Sequence, residues 1–331
     1  MPAPDLRLFA LSETHDFGAR VAAAMNRSLD DHEEQTFTDG EHLLRSLVNV
    51  RGRDVFVVQS LHGGPRYSIS EKLTRLLLFI GALEDADARR ITVLIPYLCY
   101  ARKDRKTRPR DPVSTRYIAA MLEAVGADRV VTMDVHNLAA FQNAFRVGTD
   151  HLEARPLFVQ HAAHTLSDEE RLVVLSPDEG GVKRAARFAE GLRAALGRDI
   201  QTAFVEKIRR EEGVSGGTLV GDVAGATVLV LDDLISTGGT IAQAAQSAAE
   251  AGAARVILVI THGLFVGAAA ATLQAAPIAA LWTTNTIPPF RLQDTAARDL
   301  LTVCDAAPLF ADAIRAIHTG GSVTKLLRVR G

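Results

Sequence analysis

The run Thr227-Val-Leu-Val-Leu-Asp232-Asp233-Leu-Ile-Ser236-Thr237-Gly238-Gly239-Thr240 passes from an apolar stretch to two adjacent carboxylates. A turn of small hydroxyl and glycine residues follows, and then an alanine-rich segment of helical length over 241–251. A strand that is apolar on both faces and runs straight into a helix is half of a βαβ unit. Working outward, apolar and β-branched runs recur at 55–58, 91–95, 130–133, 172–175 and 256–260. Segments of helical period lie between them at 70–83, 114–125 and 182–196. This alternation predicts an α/β fold of mostly parallel sheets flanked by helices.

An internal echo divides the chain. Gly126-Ala-Asp-Arg-Val-Val reappears as Gly252-Ala-Ala-Arg-Val-Ile, and a histidine follows ten residues after each glycine, His136 and His262. Each copy reads as a glycine helix stop, a buried strand and a polar loop. The expectation is two related domains, 1–150 and 151–307, with a C-terminal helix within 308–331 packing back onto the first. Such a chain, 331 residues long, suits two domains.

Composition narrows the function classes. Hydrophobic residues make up 47% and charged residues 23%, as in globular proteins. Thirty-seven basic against 39 acidic residues give a net charge of −2, which argues against a nucleic-acid or membrane partner. Two cysteines, Cys99 and Cys304, cannot build a disulfide framework, and no signal peptide is visible, so a cytoplasmic location is expected. The uncharged run from Gly263 to Phe290 is long enough to span a bilayer. Its alanines and glycines contribute little transfer energy, however, and Pro277 splits it into a helix and a strand-like piece over 278–284.

In parallel sheets ligands gather beyond the carboxyl ends of the strands. In the opening run those ends hold Asp232 and Asp233, then Ser236, Thr237, Gly238, Gly239 and Thr240 at a helix start. Glycines let the backbone wrap an anion, hydroxyls add donors, and the helix N-terminus favours negative charge. The plain alternative is an N-capped helix. With no cation in the run, two carboxylates favour a ligand: a phosphate in the turn, sugar hydroxyls on the acids. At the end of the 91–95 strand, Arg102-Lys103-Asp-Arg-Lys-Thr-Arg-Pro-Arg110 places six basic residues among nine. A solvated charge run is the ordinary reading of such a cluster, but at a strand's carboxyl end it suits a polyphosphate.

These stretches carry a resemblance. The opening run resembles the phosphoribosyl-pyrophosphate (PRPP) loop of the type I phosphoribosyltransferase fold, and Ile95-Pro-Tyr-Leu-Cys-Tyr-Ala-Arg102-Lys103 resembles the ATP-site motif of the ribose-phosphate pyrophosphokinases (PRPP synthetases). Phosphoribosyltransferases lack the second element. Phe37-Thr-Asp39-Gly-Glu41 is similar to the family's adenine loop; Asp134-Val-His136 and Ser176-Pro-Asp178-Glu-Gly-Gly are similar to its two metal-bearing strand ends. Glu206-Lys207-Ile-Arg209 is similar to the start of its catalytic loop. There are departures: Thr36 stands where many members have a basic residue, Lys103 replaces Gln, Glu179 replaces a small or neutral residue or His, and Ser236 replaces Asp. Asn49 stands where phosphate-activated members often carry Ser.

The resemblance implies transfer of the β,γ-diphosphoryl group of ATP to the C1 hydroxyl of ribose 5-phosphate, giving PRPP and AMP. It implies Lys207 and Arg209 as catalytic residues, and Phe37, Asp39, Glu41, Arg102 and Lys103 at ATP. It further implies Mg²⁺ held at His136 and Asp178, and ribose 5-phosphate on Asp232, Asp233 and the turn 236–240. A homo-oligomer, of the hexamer-of-dimers type, is implied as well. Two other readings stand beside it: a catalytically silent regulatory subunit of such an assembly, and a phosphoribosyltransferase.

Overall fold

The computed structural model describes residues 5–167, 171–208 and 216–327. The chain divides into two compact units, Met1–Glu153 with Ala306–Leu326, and Ala154–Asp305 with Leu327–Gly331.

The first unit runs β1 (Leu6–Ala10), α1 (His15–Ala24), β2 (His32–Thr36), β3 (His42–Ser46), β4 (Asp54–Val58), α2 (Ile69–Asp85), β5 (Arg90–Ile95), α3 (Ser114–Ala124), β6 (Arg129–Met133), α4 (Leu138–Ala144) and β7 (Gly148–Leu152). Its sheet is five-stranded and parallel, in the order β1-β4-β5-β6-β7. The antiparallel pair β2–β3 forms a ribbon of its own. Strand β4 is buried at every position, which is why its run DVFVV shows no alternation. Helix α2 starts on a capping box, Ser68 Oγ accepting from Glu71 N and Glu71 Oε2 from Ser68 N. Its apolar face meets the sheet through Phe79, which packs edge-on against Phe9 with ring centroids 5.3 Å apart.

The second unit contains α5 (Arg155–Thr165), β8 (Leu172–Ser176), α6 (Val182–Leu196), β9 (Gln201–Ile208), β10 (Gly216–Val220), β11 (Thr227–Ile235), α7 (Gly239–Glu250), β12 (Arg255–Gly263), α8 (Ala269–Ala275), β13 (Ala280–Thr284) and β14 (Leu301–Cys304). Its sheet has the order β10-β9-β8-β11-β12-β13-β14, parallel except for the β9–β10 hairpin. From β8 the chain steps outward to β9 and β10, then returns to lay β11 on the other side of β8 and continues through β12 to β14. The strand order therefore reverses between β8 and β11, the place where open α/β sheets leave a ligand crevice at their carboxyl ends. No helix among the described residues is long and apolar enough to cross a membrane. The uncharged run after His262 divides into α8 and β13.

A final helix, α9 (Ala307–Thr319), belongs to the first unit. Phe310 packs edge-on against Phe17 of α1 at 5.4 Å. Asp54, fully buried, accepts from Arg90 Nε at 2.8 Å and lies 2.7 Å from His318 Nδ1, while Arg90 also donates to Ile317 O.

The echoed segments fold alike at the backbone. Gly126 and Gly252 have φ of +102° and +86°. Each donates its N–H three residues back, to Glu123 O and Ala249 O, and the next residue donates to Leu122 O and Ala248 O. The copies then diverge: His136 stands exposed in the loop after β6, whereas the polar loop expected at the second copy is absent there, β12 continuing through His262, which is buried and hydrogen-bonded to Thr286 Oγ1 at 2.8 Å.

Candidate active site

In the second unit the reversal point gathers three sets of residues. Strand β8 ends at Ser176, and the tight turn after it carries Asp178. Ser176 Oγ donates to Asp178 O at 2.6 Å, and Asp178 Oδ1 accepts from Gly181 N at 3.2 Å. Gly181 is required by that closeness, since a Cβ there would sit 2.5 Å from Ser176 Oγ. Strand β11 delivers Asp232 and Asp233, the second of them 3% exposed. Beyond them 236–238 turn into α7, with Gly238 at φ +86°, a conformation a side chain would strain. The turn is braced from behind: Val266 N donates to Ser236 O, Leu264 N to Ile235 O, and Gly238 faces Thr272 of α8. The first N–H groups of the 12-residue helix α7 therefore open on the same end of the sheet as the acid pair.

The acid pair is not without a cation, contrary to the reading of the run in isolation. Arg184, in the first turn of α6, places Nη1 3.0 Å from Asp232 Oδ1 and 3.0 Å from Asp233 Oδ1. Asp232 Oδ1 also accepts from Asp233 N at 2.9 Å. Burial, and next the like charge of Asp233, push Asp232 up to about 7 against Arg184's opposing pull. Arg184 falls in the helical segment 182–196, but nothing in its spacing shows that α6 turns it back over β11.

In the first unit the basic run forms the loop after β5. Asp111 organises it: Oδ2 accepts from Thr107 Oγ1 at 2.6 Å, Thr107 N and Arg108 N at 3.1 Å each, and Lys103 Nζ at 3.4 Å. The Thr107 hydroxyl foremost lowers Asp111 to about 2. Arg102 and Lys103 are exposed. His136 stands in the loop after the neighbouring strand β6, and Asn137 Nδ2 ties that loop to the basic one through Asp104 Oδ2 at 2.6 Å.

Phe37, Asp39 and Glu41 lie in the loop between β2 and β3, with Phe37 41% exposed. The loop is closed by Phe37 N to Glu41 O at 2.8 Å and Glu41 N to Asp39 Oδ1 at 3.1 Å. No hydrogen bond or ion pair joins these three residues to Arg102 or Lys103 among the described residues. Lys207 sits on β9, in register with Gly217 of β10. Its side chain, and Arg209 altogether, fall outside the described residues.

No group of three metal-binding side chains occurs among the described residues. His136 follows β6 in the first unit and Asp178 follows β8 in the second; taken separately, the Asp178 carboxylate is the oxygen ligand that a hard cation keeping its waters takes. Both cysteines are free, and burial pushes Cys99 up to about 12 and Cys304 to about 11, so neither is a poised nucleophile.

Comparison with known proteins bears on the whole chain. A family model described as the N-terminal domain of ribose phosphate pyrophosphokinase matches residues 6–126, and one described as a phosphoribosyl synthetase-associated domain matches residues 210–328. A ribose-phosphate pyrophosphokinase of Caldanaerobacter subterraneus subsp. tengcongensis is 38% identical over 323 residues, covering 97% of each chain. That of Hyphomonas neptunium is 37% identical over 322 residues, 97% of this chain and 99% of its own. The crystal structure of phosphoribosylpyrophosphate synthetase from Mycobacterium smegmatis aligns with a TM-score of 0.85 at 35% identity, covering 96% of this chain and all of that one.

Proposed function

The chain belongs to the ribose-phosphate pyrophosphokinase family, and from that premise we propose that it transfers the β,γ-diphosphoryl group of ATP to ribose 5-phosphate. The C1 oxygen of the sugar attacks the β-phosphorus in line, the C1 hydroxyl proton is lost, and AMP departs, leaving PRPP. A transfer of this kind asks the protein for alignment and for positive charge around the moving oxygens.

Each element has a part in that reading. The turn 236–240 and the α7 N-terminus hold the 5-phosphate, and Asp232 and Asp233 accept from the ribose hydroxyls. Arg102 and Lys103 bind the polyphosphate, and Phe37, Asp39 and Glu41 hold adenine. Lys207 and Arg209 neutralise charge that grows in the transition state. His136 in the one unit and Asp178 in the other would each hold Mg²⁺, which supplies charge neutralisation on the phosphate oxygens when bound. A homo-oligomer in the cytoplasm completes the reading.

The observation that carries diphosphoryl transfer over plain phosphoribosyl transfer is the cationic loop at the carboxyl end of β5. A phosphoribosyltransferase has no use for a second polyphosphate site there. The test is phosphorus NMR of the protein with ATP, Mg²⁺ and ribose 5-phosphate. PRPP diphosphate signals arising together with AMP are expected. ADP as the product, or no product without an added nucleobase, would overturn the reading.

A further inference from the structure

The β2–β3 ribbon presents a physical problem. It is detached from the five-stranded sheet, and two-stranded ribbons are marginal in water without packing. Apolar burial does little for it: β2 reads HEEQT with no buried position, and β3 buries only Leu44. Yet its loop must present Phe37, Asp39 and Glu41 in one arrangement if they are to hold a nucleotide base.

The anchor at the loop end is Arg75 of α2, 1% exposed. Its Nη2 donates to Thr36 Oγ1 at 2.5 Å and lies 3.2 Å from His42 Nδ1. Thr36 and His42 are the last register pair of the ribbon before the loop. Nη1 donates to Glu34 Oε2 at 3.2 Å, and the guanidinium carbon stands 4.1 Å over the Tyr67 ring. One planar fork thus holds both strands at the rung that launches the loop, stacked on an aromatic face from behind. Glu34 is itself fixed on its other oxygen by Ser12 N and Oγ and by His32. A plain buried ion pair with Glu34 would explain Nη1 but not Nη2.

We propose that Arg75 is a positioning residue for the 37–41 loop, supplying from α2 the cation that position 36, a threonine here, does not supply from the ribbon. The inference rests on the reading of that loop as the base-binding element. It makes Arg75 specific to the nucleotide substrate and indifferent to ribose 5-phosphate.

The test is steady-state kinetics on full-length variants with ATP, ITP and ribose 5-phosphate. Arg75→Lys keeps the charge and loses the fork. It is expected to raise KM for ATP about tenfold, the loss of one to two charged hydrogen bonds, with kcat and KM for ribose 5-phosphate within about twofold. Its preference for ATP over ITP, which differ only at the purine edge, should shrink in step. Arg75→Gln combined with Thr36→Arg moves the cation onto β2 and is expected to restore KM for ATP to within about threefold of the parent. A fall in kcat with KM for ATP unmoved would mark Arg75 as merely structural and overturn the inference. Phe37→Ala separates the two levels: if it raises KM for ATP while Arg75→Lys does not, the inference fails and the loop reading stands. If Phe37→Ala has no effect, the loop reading itself fails.

Discussion

Asp232→Asn tests the acid pair in both stability and function. Asp232 lies against Asp233, its side chain 26% exposed, with a pKa of about 7 where 3.8 is ordinary. The native state therefore holds a proton that the unfolded chain has already shed between about pH 4 and pH 7. Stability falls as pH rises through that window and has lost this contribution fully above pH 7. Asparagine keeps the shape, and its Oδ1 can still accept from Arg184 and from Asp233 N. At about 1.4 kcal/mol per pH unit over about three units the ceiling is ~4 kcal/mol, and solvent screening at a quarter-exposed group brings the expected gain at pH 8 to about 2 kcal/mol. Trp282 of β13, the chain's single tryptophan, is buried in the same unit and reports its unfolding. Urea unfolding followed by its fluorescence should show the variant above the parent at pH 8, the two converging toward pH 4. PRPP formation should fall about 100-fold in the same variant, a stabilising change that removes function. A variant less stable than the parent at pH 8, or one with the parent's pH slope, would refute the raised Asp232 and the role of burial in raising it.

Three further outcomes are expected. Lys207→Ala should lower kcat by about 10³ or more with little change in ATP affinity, read by equilibrium nucleotide binding beside turnover; weakened affinity alone would contradict its place in the transition state. Gly181→Ala pushes a methyl group to 2.5 Å from Ser176 Oγ and should displace the Asp178 turn, seen as a higher Mg²⁺ requirement in assays while urea unfolding shifts by only about 1–2 kcal/mol. Asp54→Ala strands Arg90 and His318 around a buried site and should cost about 3 kcal/mol, less than for a fully enclosed pair because Arg90 is 34% exposed. Thermal denaturation measures that loss, and limited proteolysis should cut first near α9.

Strands and helices whose burial is two-sided were readable as residue patterns. The runs at 55–58, 91–95, 130–133, 172–175, 227–231 and 256–260 are all strands of the two main sheets. Elements without that burial were not: β2 is polar throughout, β7 reads GTDHL with one buried residue, and β14 at the sheet edge has none. Their pairing is set by neighbours distant in sequence, so no local period marks them.

The same distinction governs the site, and it separates what a motif can carry from what it cannot. A strand-turn-helix run fixes its own backbone, so the turn at 236–240 and the helix stops at Gly126 and Gly252 follow from local sequence. It does not fix what approaches from elsewhere. Equivalent positions of the echo hold an exposed His136 and a buried His262, because the first lies in the loop after β6 while β12 runs on through the second and buries it beside Thr286. Arg184 and Arg75 show the consequence at the two candidate substrate sites. Each is a cation on a helix, separated by 48 and 39 residues from the groups it organises at Asp232 and Thr36. Neither arginine is among the residues that the motifs single out. Substitutions there should alter substrate-specific constants while every motif residue remains in place. A position such as 36, where the motif's usual cation is missing, is therefore best judged by which charged group the fold brings to it.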